Sequence, residues 1–407
     1  MSYIFGGRLM QRKLDTYLKQ VEQEIIANRR HLHQYPELSN QEVKTSHYIQ
    51  QKLTDYGIPF KTGFAEHGVL GIIKGKDSDN IVALRADIDA LPIQELNEDD
   101  FVSKHPNVMH ACGHDAHTAM LLGAGYVLQQ LKEEINGTVL LVFQPAEEAS
   151  PKGGAQVMME DGVFDTYKPD VIFGQHVWPY MPTGTVGVHD REVMGASDRF
   201  KIILEGRGGH ASMPHQANDA VIAAGHLITA LQTIVSRNLD PMESSVVTIS
   251  MLDAGSVPNI IPREVTLQGS VRTYHSEIRE RLKERFYQIT NQIAEAFNTK
   301  AYIEYTDGYP ATINTPQWAK LARSSAQKIL GENATPSQKP SLAGEDFGRF
   351  LHKYPGAFIW LGTQLEDKEK QTPLHDANFK LNERALPQGT KLFVQFAIDA
   401  LQKLNEE

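Results

Sequence analysis

The chain has 407 residues, a length suited to two domains, and its 41% apolar and 22% charged composition argues against disorder over most of it. A formal net charge of −10 argues against a general nucleic-acid binder, which would carry a basic face. The one cysteine, Cys112, leaves no intramolecular disulfide to form, no apolar run approaches the ~20 residues that span a bilayer, and no secretory signal follows Met1, so the expectation is a cytoplasmic protein with no membrane and no nucleic-acid partner.

Leu14, Leu18, Val21 and Ile25 recur at helical spacing and predict an opening amphipathic helix. Met10 ahead of it reads as a natural start, with residues 1–9 a leader. Pro36 closes this region, and residues 42–56 predict a second helix stopped by Gly57. Strands follow at 69–74 and 81–86, the second a short apolar run that delivers Arg85-Ala86-Asp87-Ile88-Asp89 at its carboxyl end. A helix is expected from Asp115 to about Lys132, then a buried strand at 138–143 feeding Gln144-Pro145-Ala146-Glu147-Glu148. Another at 171–173 feeds Gly174-Gln175-His176. Strands alternating with helices predict an α/β fold, a mostly parallel sheet flanked by helices.

The texture changes near Arg191. Strands at 199–205, 246–251, 265–273 and 301–305, with helices at 219–236 and 277–297, give the order β-α-β-β-α-β of a ferredoxin-like sandwich. It occupies 191–306 as an insert, leaving 1–190 and 307–407 as the first domain. Helices at 317–330 and 386–404 flank a last buried strand at 357–361.

Three times an apolar strand is followed at once by groups able to bind metal. Cys112-Gly113-His114 sets a thiol and an imidazole one residue apart at a helix start, where metal and helix dipole both favour thiolate; a buried inert cysteine beside a capping histidine is the plain alternative. In Glu147-Glu148 one carboxylate can bind metal while its neighbour takes a proton from water, although paired acids are common on solvated surfaces. His176 and His375, read singly, are ordinary hydrogen-bonding histidines, and only the ensemble lifts them. Asp87 and Asp89 share one face if both lie in the strand, and such an acid can orient a histidine ligand or cap a turn. His110 and His117 read as supporting or surface groups. In the insert, Gly208-Gly209-His210 suggests a tight turn exposing an imidazole, and Arg272 on a strand can grip an anionic group or make a structural ion pair. Thiolate, imidazole and carboxylate together suit zinc or manganese, with cobalt and nickel compatible.

At these residues the chain resembles the metal-dependent amidohydrolases that include indole-acetyl-amino-acid hydrolases, hippurate hydrolases and N-acyl-amino-acid or N-acetyl-diaminopimelate deacylases, within the wider zinc carboxypeptidase/aminoacylase group. The resemblance runs from His31-Leu32-His33 to Leu374-His375 through Arg85-Ala86-Asp87-Ile88-Asp89-Ala90-Leu91-Pro92, Met109-His110-Ala111-Cys112-Gly113-His114-Asp115, Phe143-Gln144-Pro145-Ala146-Glu147-Glu148, Gly209-His210-Ala211-Ser212 and Ala343-Gly344-Glu345-Asp346-Phe347. It implies a zinc-exopeptidase-like catalytic domain holding two divalent ions on Cys112, His114, Glu148, His176 and His375. Glu147 would be the general base and Asp89 the supporting acid. His210, reaching into a neighbouring subunit, would stabilise the oxyanion, while Asn259 and Arg272 would hold the substrate carboxylate. The insert would serve as lid and as the interface of a homodimer or higher homo-oligomer. One departure stands out: many relatives have His-x-Asp where this chain has Asp87-Ile88-Asp89, which leaves the division of ligands between the ions open. The implied activity is hydrolysis of N-acyl amino acids or short peptides. A dipeptidase or aminopeptidase, a thiol hydrolase using Cys112 and His114, and a non-enzymatic binding protein are the competing readings.

Overall fold

The computed structural model describes residues 2–406. In chain order the elements are α1 (Ser2–Gln34), α2 (Val43–Asp55), β1 (Phe60–Phe64), β2 (Gly68–Lys74), β3 (Lys76–Asp87), α3 (His114–Gln130), β4 (Asn136–Gln144), α4 (Gly153–Glu160), β5 (Val171–Pro182), β6 (Val186–Gly187) and β7 (Glu192–Met194). Next come β8 (Ala196–Glu205), β9 (Gly209–His210), α5 (Ala220–Thr233), β10 (Ser245–Ala254), β11 (Ile260–Ile261), β12 (Glu264–Thr273), α6 (Ser276–Ala296) and β13 (Lys300–Tyr309). The chain closes with β14 (Thr312–Ile313), α7 (Pro316–Leu330), α8 (Gly348–Leu351), β15 (Gly356–Gln364) and α9 (Ala385–Glu406). Two compact units result: one takes the chain up to Val193, Ile313–Pro340 and everything from Asp346, the other Met194–Thr312 and Ser341–Glu345.

The first unit is built on a seven-stranded sheet of order β1-β2-β4-β3-β5-β15-β6. Its centre, β4-β3-β5-β15, is parallel, and β2 and β6 pair antiparallel at its two sides. Continuous apolar runs such as Val139–Phe143 are buried on both faces, as a central parallel strand requires. Leu14, Val21 and Ile25 of α1 are buried against α3 and α9, each such side chain contributing about 1.5–3 kcal/mol. Gly123 permits the approach of α1 to α3, because a Cβ there would meet Ile25 Cγ1 at 2.6 Å. Two strands of this sheet escaped the sequence reading. β1 lies at the sheet edge with its middle residues exposed, and β6 is two residues long, so neither carries an apolar run. α1 begins at Ser2, so residues 2–9, expected to be a leader, continue the helix.

The second unit has a four-stranded antiparallel sheet of order β10-β12-β8-β13, covered by α5 and α6. Leu227 and Leu231 of α5 and Leu282 and Phe286 of α6 pack on Phe200, Ile202, Leu204 and Leu267. The Asp219 carboxylate accepts from the N–H groups of Val221 and Ile222 and starts α5. Where the sequence suggested 191–306, the unit runs from Met194 to Thr312 and takes Ser341–Glu345 from a distant stretch of chain. Where the sequence suggested no run near the length of a bilayer span, Ala220–Asn238, at a mean hydropathy of 1.3, is long and apolar enough to cross a membrane by length and composition alone. The sequence reading passed over it because small residues supply much of its apolar character. About a third of it is buried in its own unit.

Candidate metal centre

The site forms where central strands of the first unit end. β3 stops at Asp87. Gly113, at φ 83°, turns the chain into α3 between Cys112 and His114. β4 stops at Gln144, and Ala146, held at φ 57°, turns the chain into Glu147-Glu148 while its N–H donates to Glu42 Oε1 at 2.8 Å. His176 lies inside β5, which runs on to Pro182 rather than ending at Phe173 as the sequence suggested. His375, at φ 65°, is tied by its N–H to the Ala111 carbonyl at 2.9 Å.

These turns bring the five expected ligands together. Cys112 Sγ lies 3.4 Å from His176 Nε2 and 3.3 Å from His375 Nε2. His375 Nε2 is 3.3 Å from Glu148 Oε1. Ligand atoms of Cys112, His114 and His176 cluster within 4.8 Å, as do those of Cys112, Glu148 and His375 and those of His114, Glu147 and Glu148. Neighbouring ligands of a four-coordinate ion with bonds near 2.0–2.3 Å stand about 3.5 Å apart, so the spacing fits. Among the described residues, two buried atoms, His114 Nε2 and Glu148 Oε1, have no partner in hydrogen-bonding geometry. Buried polar atoms are rarely left so, and a cation would satisfy both.

Electrostatics agree. Burial, with Glu148 and Glu147 beside it, pushes the Cys112 thiol well above its ordinary range. Burial opposes a charge on His114, yet Asp87, Asp89 and Glu148 raise it to about 10. Burial, with His117 and His114 nearby, holds His176 neutral, the form that ligates. The neighbouring acids raise both the thiol and the His114 imidazole, and a cation in the pocket would relieve them.

Asp89 orients His114: its Oδ1 lies 3.1 Å from His114 Nδ1, leaving Nε2 for the site. Its other oxygen accepts from Ser39 Oγ at 2.6 Å and from the Glu148 N–H at 2.9 Å. Asp87 serves a different histidine, because the strand ends between the two acids. One oxygen meets His117 Nδ1 at 2.5 Å and the other accepts from Arg85 Nη1 at 2.7 Å. Glu147 is buried, and the Asp346 N–H reaches its Oε1 at 3.3 Å. Arg85, wholly buried, also donates to Asp346 Oδ1 at 2.9 Å and to Gln144 Oε1 at 2.8 Å.

His210, Asn259 and Arg272 fall in the second unit. His210 is exposed on β9 opposite Ile260, and the Ala211 N–H donates to the Asn259 carbonyl at 3.0 Å. Arg272, on β12, is partly buried beside Arg199. Sequence reasoning missed Glu42, Ser39, Arg85 and Asp346 as supports. Asp346 stood in a quoted motif without a role, and the alternation of Arg85 with Asp87 on one strand face was the signal for Arg85.

The family model described as Peptidase family M20/M25/M40 matches residues 83–399. N-acetyl-L-cysteine deacetylase of Bacillus subtilis is 41% identical over 390 residues, covering 96% of this chain and 91% of that protein. IAA-amino acid hydrolase ILR1-like 5 of Arabidopsis thaliana is 37% identical over 377 residues, covering 92% and 86%. The solved structure of Bacillus subtilis YXEP protein, described as a dinuclear metal binding peptidase from the M20 family, superposes with a TM-score of 0.82 at 34% identity over 94% of this chain and 99% of that one. With matches of this extent, the chain belongs to peptidase family M20/M25/M40.

Proposed function

We propose that this protein hydrolyses the amide bond of N-acyl amino acids, N-acetyl and N-benzoyl among them, or of short peptides, using two divalent ions held by Cys112, His114, Glu148, His176 and His375. The observation that carries the reading is the gathering of one thiol, three imidazoles and a carboxylate around two buried atoms, His114 Nε2 and Glu148 Oε1, that have no partner in hydrogen-bonding geometry among the described residues. Bound there, the ions supply Lewis acidity that polarises an amide carbonyl and acidifies a water. The thiolate favours zinc, with manganese, cobalt or nickel as the other occupants to be compared. A ligand that must stay a reduced thiol suits the cytoplasm.

Glu147 takes the proton of the attacking water and returns it to the leaving amine nitrogen. Its burial keeps that carboxylate from bulk water, and the Asp346 N–H fixes one of its oxygens. Asp89 holds His114 in one tautomer. His210 stabilises the tetrahedral oxyanion from a neighbouring subunit: the Ser212 N–H donates to its Nδ1 at 3.2 Å, which places the ring proton on Nε2, ready to donate. Asn259 and Arg272 hold the substrate carboxylate, and the company of Arg199 gives Arg272 a local surplus of positive charge. The second unit supplies the lid and the homodimer contact. Strand β10 pairs on one side only, with β12, and exposes Val246, Met251 and Leu252, while α5 exposes Val221 and Ile222; a second copy pairing along that edge would cover them.

A thiol hydrolase is disfavoured by the elevated Cys112 thiol, which withholds the thiolate such chemistry needs. The deciding experiment is a panel assay on protein stripped and reloaded with each metal. N-acetyl, N-benzoyl and indole-acetyl amino acids are run beside dipeptides, with metal content measured on the same sample. Metal-dependent turnover of acyl amino acids is expected. Preference for dipeptides would move the reading to a peptidase on the same site, and no turnover of any substrate with two ions bound would leave a binding protein.

A further inference from the structure

His117 stands one helical turn beyond His114 on α3 and is completely buried. Its Nε2 accepts the backbone N–H of Val177 at 2.9 Å. The ring proton therefore sits on Nδ1, donated to Asp87 Oδ1 at 2.5 Å. Both ring nitrogens are committed, and Arg85 takes the remaining Asp87 oxygen. The cluster of Asp87, His114 and His117 is thus not a third metal site, although its atoms lie within 4.8 Å of one another.

The Val177 N–H needs this acceptor for a topological reason. β3 pairs with β5 only from Val82↔Val171 to Arg85↔Gly174 and stops at Asp87. Past Gly174, β5 has lost its neighbour on that side while remaining buried. The imidazole of His117 stands in for the missing strand carbonyl. The same peptide serves His176, whose Nδ1 donates to the Val177 carbonyl at 2.7 Å, leaving Nε2 turned to Cys112 Sγ at 3.4 Å.

We infer that His117, backed by Asp87, is a positioning residue for the ligand His176: it fixes the Val177 peptide, and the Val177 carbonyl fixes the tautomer and angle of the His176 ring. This assigns a task to Asp87. The inference rests on the proposed metal centre, so its test reads metal binding rather than turnover.

His117→Gln keeps an acceptor at the reach of Nε2 for the Val177 N–H. His117→Asn keeps a donor near Asp87 but cannot reach Val177. Metal-free wild type and both variants are titrated with zinc against a competing chelator, and cobalt-loaded samples are compared by their thiolate-to-cobalt absorption. One of the two ions should bind His117→Asn about 10–100-fold more weakly, with a changed cobalt spectrum, while His117→Gln stays within about threefold of wild type. Equal affinities in the two variants, whether both kept or both lost, overturn the inference. A wild type that fails to bind two ions overturns the proposed centre instead.

Discussion

Gly113→Ala probes how the centre is held together. Gly113 has φ 83°, a conformation that costs an L-residue about 1–2 kcal/mol. The added Cβ would lie 2.5 Å from Val177 Cγ2, nearer than real side chains approach, while Leu381 Cδ2 and Phe379 Cε1 at 3.7 Å are ordinary contacts. Val177 is fully buried and its backbone is tied on both sides, its N–H to His117 and its carbonyl to His176, so its backbone cannot shift without carrying His176 with it. Overpacking at such a site costs about 1–3 kcal/mol. The expected destabilisation is therefore about 2–5 kcal/mol in urea melts of metal-free protein, together with weaker zinc binding by chelator competition. Adding Val177→Ala should return most of the steric part and none of the backbone part, a non-additivity that a double-mutant cycle reads directly. A Gly113→Ala protein within about 0.5 kcal/mol of wild type and with unaltered zinc affinity would refute this reasoning.

Glu147→Gln should keep both ions and lose about 10²–10⁴-fold in kcat, and a near-normal kcat at full metal content would remove Glu147 as the base. Glu42 is buried beside Asp89, and in the metal-free protein burial first, then that acid, push its carboxyl from the ordinary 4.5 up to about 7. Because the folded pKa lies above the unfolded one, stability is full below about 4.5 and falls by about 3 kcal/mol as pH rises through about 7. Glu42→Gln, which keeps an acceptor for the Ala146 N–H, should abolish that fall, and urea melts showing the same pH slope in both proteins would contradict it. Leu252→Lys on the open edge of β10 should shift the particle in sedimentation toward the monomer, and an unchanged mass would place the subunit contact elsewhere.

Much of the architecture was legible because burial on both faces writes itself as apolar runs: β3, β4 and β5 each show one, and each leads into or carries site residues. The order β8-α5-β10-β12-α6-β13 was equally plain, since every element is long enough to show its period. What stayed hidden depends on where strands stop and which distant side chains meet. Arg85 and Asp346 lie 261 residues apart, and no local pattern announces that one guanidinium binds Asp87 and Asp346 together. Glu42 sits at the start of an amphipathic helix, where a charge reads as a solvated cap, yet it is wholly buried under the turn that presents Glu147.

The two aspartates make the limit concrete. Asp89 with His114 and Asp87 with His117 are the same device, a carboxylate on Nδ1 of a buried histidine, and the two histidines lie on one face of one helix. Spacing alone would make both histidines ligands or neither. The difference lies at the far nitrogen: His114 Nε2 meets no hydrogen-bond partner among the described residues, whereas His117 Nε2 meets the N–H of a strand that has outrun its neighbour. On the proposed function a ligand is thus separated from a support by the length of β3, a property of tertiary pairing that residue types and their intervals do not encode.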